Sequence, residues 1–171
     1  MKDVRAKVAD SRWKEHLRTW RSSLILLPFC VYFALSRGDY TLLDAADLVI
    51  HEAGHLIFSP FGSFLRMAGG TLMQLLIPFV IAWSFFRNDY LPGTQAGLLW
   101  FGQSLINVSV YAADARIQAL PLFGPPGALH DWHYLLSKVG LLEYDTAIGL
   151  GFYILALLVF VALLLLPLRW W

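Results

Sequence analysis

Charge is scarce in this chain and cysteine nearly absent. Asp, Glu, Lys and Arg together make up 15% of 171 residues, where soluble domains carry about a quarter. So thin a charge supply argues against an ordinary soluble globular domain. Cys30 is the single cysteine, which excludes a disulfide framework and a thiolate metal cluster. It sits in an apolar run and reads as a small filler. No internal repeat and no low-complexity linker interrupts the sequence, so one domain accounts for its length. No nucleic-acid partner is expected either: acidic residues interleave the one basic stretch, and no nucleic-acid motif follows it.

What is abundant is apolar sequence, 58% of residues, gathered into long runs. Leu24–Leu35, Thr71–Phe86 and Ala147–Leu168 are plain; Thr41–Phe58 and Gln95–Leu120 carry polar interruptions. A helix needs roughly 20 residues at about 1.5 Å each to cross about 30 Å of hydrocarbon. The runs therefore predict an all-α, polytopic membrane helix bundle of about five segments. Gly124-Pro125-Pro126-Gly127 breaks one of them and suits a re-entrant dip, because irregular backbone at membrane depth is tolerated only against protein or a cavity. Two shorter features complete the pass. Phe64–Met67, between Gly62 and Gly69-Gly70, is expected to be extended, and His130–Val139 helical.

The N-terminal stretch 1–22 carries Lys2, Arg5, Lys7, Arg12, Lys14, Arg18 and Arg21 against Asp3, Asp10 and Glu15. With Val8, Trp13, Leu17 and Trp20 it predicts a basic interfacial helix on the bilayer surface, ahead of a membrane-embedded domain over 23–171. The positive-inside rule places it in the cytoplasm. No small-residue cleavage site follows Leu35, against a signal peptide, and no organelle-type targeting signal is apparent. A bacterial inner membrane is the expected location. Trp20, Trp83, Trp100, Trp170 and Trp171 near run ends resemble interfacial anchors.

Thr41–Phe58 holds Asp44, Asp47, His51, Glu52 and His55, all expensive at membrane depth unless mutually satisfied or bound to metal. His51 and His55 are i and i+4, so both imidazoles leave one helix face a turn apart. That spacing, H-E-x-x-H, is how a helix presents two ligands to Zn²⁺, with Glu52 about 100° round the helix and able to reach a metal-bound water. About ten residues into the run, the motif is expected near the bilayer midplane. Asp44 and Asp47 share the His51 face. They either support a ligating histidine through its second ring nitrogen or simply begin the helix near the headgroups.

A catalytic zinc site usually takes a third protein ligand. His130, Asp131 and Asp114 are the candidates, with His133 one turn beyond His130; the His130–His133 stretch otherwise caps a surface helix. Gln103, Asn107, Tyr111 and Asp114 form a polar stripe at helical spacing. It faces the bundle interior, as support for the site or as interhelical hydrogen-bond glue. Arg116 either ends that helix or pairs with Asp114.

Together these residues resemble the site-2 protease class of intramembrane zinc metalloproteases. The resemblance rests on His51-Glu52-Ala53-Gly54-His55 inside a membrane helix, on Phe61-Gly62 to Gly69-Gly70 as a shortened post-motif hairpin, and on Pro125-Pro126 leading to Asp131 and Leu135-Leu136. It implies that His51, His55 and Asp131 ligate zinc, that Glu52 is the general base, and that a membrane protein or peptide is the substrate. It further suggests that Phe64–Met67 pairs with an unwound substrate as an edge strand. Two rival functions use the same residues: hydrolysis of a lipid or small amide, and a non-catalytic membrane protein with a closed structural zinc site.

Overall fold

The computed structural model describes residues 2–122 and 129–170, with side chains described from Thr19 to Arg169. Among these residues the protein is all helical. Six α-helices follow in order: α1 (Lys2–Leu35), α2 (Leu42–Phe58), α3 (Ser63–Arg87), α4 (Leu91–Ala113), α5 (Asp131–Lys138) and α6 (Asp145–Leu165). Short 3₁₀ turns lie at Ser59–Phe61, Leu142–Tyr144 and Leu166–Trp170.

Several elements differ from the sequence expectation. The basic stretch and the first apolar run form one continuous helix, with Pro28 inside it. Phe64–Met67 is helical, not extended: α3 starts at Ser63, directly after Gly62 turns the chain at φ 92°. The proposed edge strand and hairpin are therefore replaced by the first two turns of α3. The fourth run begins earlier and ends earlier than expected, as α4, and Asp114 caps its C-terminus instead of continuing its polar stripe. The Gly124–Gly127 break lies outside the described residues.

Local chemistry explains where α2 begins. Thr41 is its N-cap in a reciprocal capping box, the Asp44 backbone N–H facing the Thr41 hydroxyl while the Asp44 carboxylate accepts the Thr41 N–H at 2.6 Å. Two otherwise orphaned donors are satisfied this way. The helix ends where Pro60 and Gly62 follow, residues that stop a helix.

Packing is organised around α4, which contacts α6, α3 and α1, while α2 lies mainly on α3. Cys30, Phe33, Leu105, Ile106, Ala156, Phe160 and Leu163 form the buried apolar cluster between α1, α4 and α6. The α2–α3 contact is closer still. A Cβ on Gly54 would sit 2.2 Å from the Gly69 carbonyl oxygen, so the two backbones touch. Small residues permit such approaches between membrane helices.

Two helical stretches are long and apolar enough to cross a membrane, Ser63–Arg87 and Leu142–Arg169. The apolar part of α1, Thr19–Leu35, is shorter. At 17 residues, α2 reaches about 25 Å, below the hydrocarbon thickness of a typical bilayer.

Candidate metal centre

His51, His55 and Asp131 come together where α2, α3 and α5 meet. One ligand-type atom from each lies within 4.8 Å of the other two, a grouping able to hold a metal ion. Asp131 Oδ2 is 2.9 Å from His51 Nε2 and 3.2 Å from His55 Nε2. A tetrahedral ion with bonds near 2.0–2.1 Å holds its ligand atoms about 3.3 Å apart. The two carboxylate–imidazole distances are within a few tenths of an ångström of that value.

The outer contacts of the two imidazoles fix what the inner nitrogens can do. His55 Nδ1 is 2.8 Å from the Arg66 carbonyl oxygen. A carbonyl only accepts, so Nδ1 carries a proton, and in the neutral ring Nε2 presents a lone pair. His51 Nδ1 lies 3.1 Å from Gln74 Oε1, and the same reasoning leaves its Nε2 as an acceptor. Two neutral rings so oriented would set two lone pairs against one buried carboxylate oxygen, an arrangement that is favourable only with a metal ion or a proton between them. Both histidines donate outward through Nδ1 and turn Nε2 toward Asp131, an arrangement shared with metal-bound histidines. This donor set fits Zn²⁺, for which imidazole nitrogen and carboxylate oxygen are ordinary ligands.

The elements supply this geometry for identifiable reasons. The four-residue spacing on α2 brings the two rings edge to face, with centroids 4.8 Å apart. Gly70 leaves room for them, since a Cβ there would lie 2.4 Å from His51 Nε2. Asp131 begins α5 and is held by Tyr111, whose hydroxyl donates to Asp131 Oδ2 at 3.3 Å and lies 3.2 Å from the Asp131 backbone nitrogen.

Glu52 is exposed and faces a cleft of about 930 Å³ that also reaches His51, His55 and Asp131. Its walls combine apolar side chains such as Phe33, Leu48 and Ile106 with the polar turn after α1.

The other residues singled out in the sequence go elsewhere. His130 caps α5, its Nδ1 accepting the His133 N–H at 3.2 Å; its Nε2 is 3.4 Å from Asp114, away from the triad. Asp114 accepts the Ala119 and Leu120 backbone N–H groups. His133 donates to the Ala115 carbonyl at 2.8 Å. Arg116 pairs not with Asp114 but with Asp145, at 2.9 Å, joining the end of α4 to the start of α6. Asp47 touches neither histidine. It accepts Trp100 Nε1 at 2.7 Å, so Trp100 serves an interior bond instead of anchoring at an interface. Asn107 accepts from Gln74 at 2.9 Å and lines the same cleft as Glu52.

Gln74 is the residue that sequence reasoning passed over. Its one signal was a lone amide in the otherwise apolar Thr71–Phe86 run, a costly group at membrane depth. The chain matches no protein-family model, no curated protein and no solved structure.

Proposed function

We propose that this protein is a polytopic membrane metalloprotein that hydrolyses peptide bonds of membrane-protein substrates at a zinc ion held by His51, His55 and Asp131. The observation that carries the reading is the paired outward donation of both histidines. With both rings neutral, it leaves two nitrogen lone pairs and a buried carboxylate converging at the wall of an open cleft. Zinc bound there supplies an acidified water and a polarised carbonyl. Glu52 accepts the proton of the attacking water and delivers it to the leaving nitrogen. Tyr111 holds the Asp131 carboxylate in place. The cleft supplies the room in which an unwound peptide approaches Glu52.

The membrane setting is supported by an inside-out distribution of polarity. Asp44, Asp47, Gln74, Gln95 and Gln103 are buried, while Leu72, Leu76, Phe79, Leu150, Ile154 and Leu158 are exposed on α3 and α6. Water makes that arrangement unfavourable and lipid makes it favourable. We read the apolar part of α1 together with α2 and α4 as further membrane segments beside the two long apolar stretches. The basic stretch at the start of α1 then lies on the cytoplasmic side of a bacterial inner membrane.

A closed structural site would need His130 as a fourth ligand. His130 Nε2 is directed at Asp114 instead, which favours a catalytic site with an open position. Replacing Glu52 by Gln tests the mechanism, using the purified protein with a panel of membrane-anchored peptides. Hydrolysis is expected to fall by about 10²–10⁴-fold with zinc content unchanged. Equal cleavage by Glu52→Gln and wild type would rule out the mechanism. Mass spectrometry of the products separates peptide cleavage from hydrolysis of a lipid or small amide.

A further inference from the structure

The buried amides behind the metal centre form a chain with a fixed direction. At its far end is Asp44, whose Oδ1 accepts Gln103 Nε2 at 2.7 Å and Asn107 Nδ2 at 2.8 Å. Its Oδ2 accepts the backbone and hydroxyl donors of Thr41. A carboxylate surrounded by four donors is an acceptor only. Asn107 must therefore turn its NH₂ toward Asp44 and its carbonyl oxygen the other way. That oxygen is 2.9 Å from Gln74 Nε2, which lies 3.4 Å from a second carboxylate, Asp47 Oδ2. Two acceptors thus claim the NH₂ of Gln74. Its remaining atom, Oε1, is left facing His51 Nδ1 at 3.1 Å.

An amide has two ends that differ in hydrogen-bond sense but hardly in shape, so unaided it presents either to a neighbour. Here the orientation is imposed. Gln74 with its NH₂ toward His51 would require Nδ1 to be the acceptor and Nε2 to carry the proton, which blocks Nε2 as a ligand. It would also set Oε1 against Asn107 Oδ1 and Asp47 Oδ2. Gln74, Asp47 and Asp44 are respectively 3%, 1% and 5% exposed, so water is poorly placed to relieve such a reversal.

We propose that Gln74 is a positioning residue that fixes the tautomer of His51, and that Asp47 and the Asn107–Asp44 pair impose its orientation. The inference rests on His51 being a metal ligand. Its content is that carboxylates two and three side chains removed from the ion decide whether one ligand is available. Gln103, buried on α4 and bonded to Asp44, helps hold the origin of the chain.

The test uses the full-length protein in detergent, with Co²⁺ and Zn²⁺ as probes. Metal affinity is read by competition with a chromophoric chelator, the ligand field by the visible Co²⁺ spectrum, and stability by thermal unfolding without metal. Gln74→Leu keeps the volume and removes the acceptor. It is expected to weaken metal binding by about 10–100-fold and to alter the Co²⁺ bands. Gln74→Glu restores an acceptor to His51 while turning its second oxygen toward Asp47 and Asn107. It is expected to keep affinity within about threefold of wild type and the wild-type spectrum, with the loss falling on thermal stability.

A merely structural role would lower the unfolding temperature of both variants and leave affinity and spectrum alike; that result overturns the proposal. If Gln74→Leu does not fold, Gln74→Met, which also lacks the acceptor, takes its place: metal affinity weakened by about 10–100-fold supports the proposal and wild-type affinity overturns it. Absence of metal binding in the wild type would instead overturn the metal-centre reading itself, and the two failures are distinguishable.

Discussion

The two sides of α4 solve the problem of helix association differently. Toward α1 and α6 the contact is apolar: Leu105 and Ile106 meet Cys30, Phe33, Ala156, Phe160 and Leu163. One polar clamp closes its end, where Gln95 Nε2 donates to Ser23 Oγ and to the Leu163 carbonyl, each at 2.7 Å. Toward α2 and α3 the same helix offers Trp100, Gln103 and Asn107, each donating to a buried carboxylate on α2. The apolar side is held by shape and tolerates any residue that fills the volume. The polar side is held by donor–acceptor matching, in which one reversed group propagates to the next. The candidate metal centre lies on the second side, where donor–acceptor matching can specify the direction of a lone pair.

That contrast breaks most visibly at the ligands. His55→Ala and Asp131→Ala are each expected to reduce zinc from about one per chain to near zero, as measured by elemental analysis. Both should leave the α1–α4–α6 side intact, since neither residue contacts it. Zinc retained at wild-type stoichiometry in both variants would mean that the ion sits elsewhere.

Phe160→Ala is the reciprocal change. Its ring fills the space above Gly102, where an added Cβ would lie 2.3 Å from the Phe160 ring. The cavity is expected to cost about 3 kcal/mol in reversible unfolding while zinc affinity stays unchanged. A large loss of zinc affinity would show that the two sides are coupled through α4.

Gln95→Leu sharpens the comparison at smaller scale. It removes a clamp worth about 1 kcal/mol and leaves Ser23 without one partner. A modest fall in stability with normal metal binding is expected. Loss of metal in this variant would mean that the clamp, distant from the triad in sequence, still sets the position of α4 relative to α2.

What the sequence revealed follows the range over which each signal acts. His51 and His55 were legible because helical periodicity alone puts them on one face. The helical class and most segment positions followed from apolar runs. Asp131 was one of three candidates until packing of α5 on α3 and α4 brought its first residue beside the α2 histidines, since no local rule links positions 80 residues apart. Asp114 misled for a local reason. Its spacing fits the polar stripe of α4, but the helix stops at Ala113 and the carboxylate turns to accept the Ala119 and Leu120 backbone N–H groups of the following loop. Phe64–Met67 misled because flanking glycines suggested breaks. Gly69 and Gly70 instead stay helical, kept small by the neighbours they touch. Gln74 was invisible to periodicity because its meaning lies in three partners on two other helices.

The contact of Gly54 with Gly69 has a mechanical consequence. Where side chains separate two helices, their spacing yields as rotamers change; where backbone meets backbone, it is nearly incompressible. The pivot lies between His51 and His55 in sequence and opposite Arg66 and Gly70, which respectively bond His55 and face His51. A bilayer that thickens or thins tilts its helices, and tilt about a point leaves that point where it was. In the proposed membrane setting, the distal ends of α2 and α3 swing with the lipid, while the spacing of the two imidazoles keeps its value as the bilayer thickness changes.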